Sequence, residues 1–115
     1  MADQVEISLP KTIYLEEDTF PITAYFRVRA TKAASTPTTV HYRVDDLRQR
    51  KELVDWTSVT TGANVTITMT AVINEIQDDS SHFERKQITV QADRGLTTQV
   101  HGKAVWRVRN VEGIV

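Results

Sequence analysis

A chain of 115 residues with no cysteine is long enough for one domain with its own core, and it excludes a disulfide framework, thiolate metal ligation and a cysteine nucleophile. The 14 Lys and Arg against 15 Asp and Glu leave a formal charge of −1, with 40% hydrophobic and 25% charged residues, as in an ordinary soluble domain. That balance weighs against sequence-independent polyanion binding, which draws on a basic excess or a segregated basic face.

The opening "MADQVEISLP" has no basic region followed by an apolar run, so no secretory signal is expected, and no apolar run approaches the ~20 residues of a membrane helix. From Met1 onward the expectation is a complete small product, made in a cytoplasm. "QVEISL" alternates Val5, Ile7 and Leu9 with polar neighbours and predicts a short strand. Pro10 and Pro21 break residues 1–21 into short extended pieces, suited to an N-terminal arm or an edge strand.

"ITAYFRVRA" predicts a strand with Ala24, Phe26, Val28 and Ala30 opposite Tyr25, Arg27 and Arg29. After the polar connection "TKAASTPTT", "TVHYRVDD" sets Val40, Tyr42 and Val44 against His41, Arg43 and Asp45. "RQRKE" tips a hairpin into "KELVDWTSV", an edge-strand candidate, and "TTGAN" turns the chain into "NVTITMTAV". There Val65, Ile67, Met69 and Ala71 alternate with threonines. "INEIQDDSSHF" has capping-box spacing at Ser81 and Glu84 but is expected to cross irregularly between sheets.

"KQITVQAD" places Ile88, Val90 and Ala92 opposite Thr89, Gln91 and Asp93, and "DRGLT" predicts a hairpin loop of three to five residues. The last strand sets Ala104, Trp106 and Val108 against Lys103, Val105, Arg107 and Arg109. About seven short alternating strands, rich in β-branched residues and without a helical stripe, predict an all-β fold, a single antiparallel sandwich over residues 1–115.

Chemistry is sparse. His41, His82 and His101 lack metal-ligand spacing, and the acidic groups Glu16–Asp18, Asp45–Asp46 and Asp78–Asp79 lack a calcium-loop pattern. There is no phosphate cradle and no nucleophile elbow, so no catalytic, metal or cofactor residue is nominated and a non-enzymatic role is expected. "NVT" at Asn64 matches a glycosylation sequon and is better explained by strand alternation. Parity turns Arg27, Arg29, Arg43, Arg107 and Arg109 outward, where long side chains shield a sheet face; these five are the candidate interface residues.

The strand order from "HYRVDDL" through "VDWTSV", "NVTITM" and "QITVQADRG" to "AVWRVRN" resembles an immunoglobulin or fibronectin type III module. That resemblance implies an immunoglobulin-like sandwich with Tyr42, Trp56 or Trp106 packed under a sheet, and one outer face carrying Arg107, Arg109, Thr89, Gln91, Asp93, His41 and Arg43. More specifically, "YRVDDL…DWTSV…NVTI…ERKQITVQADRGLTTQ…WRVRNVEGI", from Tyr42 to Ile114, resembles small head and tail proteins of tailed bacteriophages. It implies a virion structural protein, assembled in the bacterial host cytoplasm and present in many copies. The partners it implies are other virion proteins of capsid or tail, with no direct nucleic-acid or membrane contact. Capsid decoration (cement) is the leading role and a neck or tail component the alternative. A carbohydrate- or cell-surface-binding module is the second alternative, for which Tyr25 is the outward aromatic.

Overall fold

The computed structural model describes residues 2–77 and 82–110, and within them the chain is all-β, with two sheets and no helix. The strands are β1 (Gln4–Ser8), β2 (Ile13–Leu15), β3 (Phe20–Arg27), β4 (Val40–Asp46), β5 (Lys51–Val59), β6 (Asn64–Met69), β7 (Phe83–Ala92) and β8 (Val100–Arg109). One sheet has the order β1-β3-β6; the other has β2-β8-β7-β4-β5. All pairings are antiparallel except β2 with β8.

The eighth strand, β2, is too short to show a period in the sequence. It forms because backbone bonds Arg107 N–H to Thr12 O and Glu16 N–H to Arg109 O anchor it at both ends. Its Tyr14 ring stacks on Phe20 at 3.7 Å between centroids. Gln4–Ser8 and Ile13–Leu15 are thus built one into each sheet, as the edge strands β1 and β2. Pro21 sits near the start of β3, past the last residue that β1 pairs, where a missing N–H removes no ladder bond on that side.

Alternation does most of the folding. In β6 every second residue, Val65, Ile67 and Met69, is buried between exposed neighbours. In β8, Trp106 and Val108 are buried between exposed Val105, Arg107 and Arg109. Trp106 meets Phe20 edge-on at 5.5 Å. A Cβ at Gly102 would lie 2.9 Å from the Val5 carbonyl oxygen, so only glycine lets β1 of one sheet close over β8 of the other. Two expectations about element bounds need correction. β3 ends at Arg27, leaving Val28 half-buried and Ala30 exposed. The β7–β8 loop runs over residues 93–99, longer than a tight hairpin. Ser81 and Asp78–Asp79 fall outside the described residues.

Parity also buries charge. On the inward row of β7, Ile88 and Val90 are followed toward the strand's start by Lys86 and Glu84, and Asp46 lies directly across from Lys86 on β4. All three are buried. Lys86 Nζ lies 2.9 Å from Glu84 Oε1, 3.3 Å from Asp46 Oδ2 and 3.0 Å from the Glu75 carbonyl oxygen. Gln77 N–H donates to Glu84 Oε1 and Arg48 N–H to Asp46 Oδ1. Nearby, buried Asn74 accepts from Trp106 Nε1 and donates to the Asp18 carbonyl oxygen. The crossover from β6 to β7 is therefore fastened to the core by polar bonds.

Asp93, expected on the outer face, is buried instead and has a positive φ of 55°. Its carboxylate accepts from Thr38 N–H at 2.7 Å, Thr39 N–H and Thr98 Oγ1 at 2.8 Å. Burial pushes this carboxyl upward, but the Thr98 hydroxyl and the Thr38 and Thr39 amides outweigh it and hold it below its usual range.

Val90→Asp is expected to abolish cooperative unfolding, since an unpaired buried charge costs several kcal/mol against a total of about 5–15 kcal/mol, whereas Arg107→Glu leaves the melt unchanged. Circular dichroism melts distinguish the two. Lys86→Met, which strands two carboxylates, is expected to cost about 3–5 kcal/mol or more in urea titrations, and the variant in which Asp46 and Glu84 also become leucine should be more stable than Lys86→Met alone. Because the folded-state carboxyl of Asp93 is lowered, its contribution is complete above the unfolded value of about 3.9 and fades as pH falls through the folded value. The gap in melting temperature between wild type and Asp93→Asn should therefore be widest near neutral pH and narrow in acid.

Candidate functional site: the outer face of the five-stranded sheet

The outward rows of β5, β4, β7 and β8 meet on one surface. The register aligns His41 with Gln91 and His101, Arg43 with Thr89 and Lys103, and Asp45 with Gln87 and Val105. An open groove of about 340 Å³ runs over these rows, with Trp56 of β5 at its rim. A bulge in the β4–β5 pairing between Tyr42 and Val44 swings the half-buried Trp56 to the outside, so it does not pack under the sheet. Arg94 lies over the indole at 4.4 Å from its centroid, and Arg43 approaches it at 5.9 Å.

Arg43 is held by Asp45 at 2.6 Å and Glu52 at 3.3 Å. The hydrogen bonds it donates to Asp45 lead in holding its guanidinium even more firmly protonated than usual. Gln91 lines the groove and His41 faces it across β4 and β7; Gln91 Oε1 and His41 Nδ1 are buried without a hydrogen-bond partner. Leaving such groups unpaired costs about 1–3 kcal/mol each. Farther down the same face, Arg107 covers the Phe83 ring at 4.2 Å. Arg43, Arg85, Arg94, Lys103, Arg107 and Arg109 thus share a surface with the carboxylates Asp45, Glu52 and Asp55, which gives a basic bias to one face of a near-neutral chain.

The five arginines nominated from sequence divide between faces. Arg43, Arg107 and Arg109 lie on this one. Arg27 lies on the outer side of the three-stranded sheet, 3.9 Å from Glu6 and over Tyr25 at 5.6 Å, and Arg29 follows the end of β3. Trp56 and Arg94 were not nominated. Arg94 sits in a loop without period, and Trp56 is turned outward by a bulge, so local pattern gives neither away. Between the unpaired edges of β5 and β6 lies a second concavity, bordered by Tyr42, Leu53, Val54 and Ile73.

Among the described residues, no group of three or more His, Cys, Asp or Glu is placed to hold a metal ion, and no helix is long and apolar enough to cross a membrane. Comparison with protein-family models, curated proteins and solved structures gives no match for this chain.

Trp56→Ala and Arg94→Ala are each expected to change stability by no more than about 1 kcal/mol, as suits a partly exposed cation–π pair. Arg94→Ala should raise the quenching of indole fluorescence by iodide through Trp56, while the signal from buried Trp106 stays protected.

Proposed function

We propose that this chain is a non-enzymatic structural protein of a tailed-phage particle, an immunoglobulin-like module that docks onto other virion proteins through the outer face of its five-stranded sheet. The immunoglobulin-like reading is supported by strand order. With β1, β3 and β6 as the first, second and fifth strands of such a module, and β8-β7-β4-β5 as its other sheet, the arrangement is that of the seven-stranded module with its fourth strand paired to the third instead of the fifth. The short β2 supplements it.

The observation that carries the docking reading is the Arg43–Trp56–Arg94 stack at the rim of the groove. Tryptophan and arginine are among the residues most enriched at interface hot spots. All three residues come from "YRVDDL", "DWTSV" and "QADRG", segments that carry the resemblance to phage head and tail proteins. Capsid decoration is the leading role and a neck or tail position the alternative, in each case as one of many copies in an assembly. Carboxylates set among the arginines oppose a phosphate backbone, which favours an acidic protein surface over nucleic acid.

The carbohydrate-binding alternative needs an aromatic face open to a sugar ring. On Trp56 that space is taken by the Arg94 guanidinium, and on Tyr25 the Arg27 guanidinium approaches, so protein docking is favoured.

Mass spectrometry of purified particles is expected to find the chain at stoichiometric copy number, and its absence would remove the proposal. The double variant Trp56→Ala, Arg94→Glu should melt like wild type yet be lost from particles. Retention of that variant at full copy number would clear this face of the docking role.

A further inference from the structure

We infer that Lys86 and Asp46 condense spontaneously into an intramolecular amide, with Glu84 as the proton relay, so that the folded chain carries its own covalent staple between β4 and β7. This inference is independent of the proposed function.

The geometry that points to it is the buried triad. Lys86 and Asp46 are partners across adjacent strands, and their side chains meet inside the sandwich with no exposed surface. Nζ lies 3.3 Å from Asp46 Oδ2, a separation at which a positioned amine and carboxyl become a high-effective-concentration pair. The other carboxyl oxygen, Oδ1, accepts the Arg48 backbone N–H at 3.0 Å, a donor placed to stabilise negative charge on that oxygen when the carbon becomes tetrahedral. Glu84 Oε1 sits 2.9 Å from Nζ, within reach of the proton that the amine must lose. Glu84 is suited to relaying and not to condensing. It stands two residues from Lys86 on the same extended strand, and its Oε1 is already held by the Gln77 N–H at 2.7 Å.

The step balances without any added reagent. Nζ, having passed a proton to Glu84, attacks the Asp46 carboxyl carbon and forms a C–N bond, with charge gathering on Oδ1 under the Arg48 N–H. Glu84 returns that proton to Oδ2 and then carries the second from nitrogen to oxygen. The Cγ–Oδ2 bond breaks and Oδ2 leaves as water. An ammonium and a carboxylate are consumed, one neutral amide and one water are formed, and Glu84 ends as it began. Two features of the interior favour this direction. The amide replaces a buried ion pair whose desolvation is costly, and the enclosed site keeps water from reversing the reaction. A chain without cysteine gains in this way a cross-link between strands whose joined residues are 40 apart in sequence.

The test is the intact mass of the purified wild-type chain under denaturing conditions. The expected mass is one water below that of the sequence, after allowance for Met1 removal. Tandem mass spectrometry of a tryptic digest should find the peptides of residues 46 and 86 joined, with no cleavage after Lys86. Glu84→Gln is expected to slow the mass loss during refolding by an order of magnitude or more, and Lys86→Arg to prevent it. A wild-type chain that is folded and has its full mass after prolonged incubation would overturn the inference, whatever the variants do. Loss of water that maps to any other pair of residues would overturn it equally.

Discussion

Strict alternation along β7 is the constraint on which the rest of the structure turns. A strand paired on both sides has no freedom to rotate one residue out of line, so placing Ile88, Val90 and Ala92 in the core forces every second residue toward the strand's beginning inward as well. Lys86 and Glu84 are carried into the interior by that rule. The cost is offset only because Asp46 occupies the inward end of β4 and the β6–β7 crossover brings backbone groups to the same point. One end of the sandwich is therefore a conventional apolar core around Trp106, and the adjoining region is a satisfied polar network.

The same rule arranges the outside. Each inward residue of β4, β7 and β8 commits its neighbours to the opposite face, and in-register pairing collects them into rows. Basic side chains from β4, β7, β8 and the β7–β8 loop are concentrated there, although the whole chain is nearly neutral. The β4–β5 bulge breaks the rule at one place, and it is there that a tryptophan reaches the surface between two arginines. A local irregularity that re-aims a large side chain is a common way to build a contact surface on an otherwise regular sheet.

Asp93 shows how a polar residue can leave the face that its parity assigns. It follows the last residue of β7, and its left-handed backbone conformation turns the carboxylate into the structure. There it gathers donors from residues 38, 39 and 98, tying the segment before β4 to the β7–β8 loop. These loops border the end of the sheet from which Arg94 reaches Trp56, so the position of the surface arginine depends on a buried anchor one residue away.

What the sequence determined by itself was whatever depends on a period of two: the all-β class, seven of the eight strands among the described residues, and the inward or outward sense of residues such as Phe26, Val90, Trp106 and Arg107. Period-two sterics act within one strand and need no partner. What only the tertiary structure decided depends on pairing between distant segments. Ile13–Leu15 is a strand because β8 offers it an edge, and Lys86 is tolerated inside because Asp46 lies across the ladder. Trp56 faces out because its strand bulges against β4, and Asp93 turns in because two distant loops supply its donors. Long-range pairing joins residues that no local pattern in the chain connects.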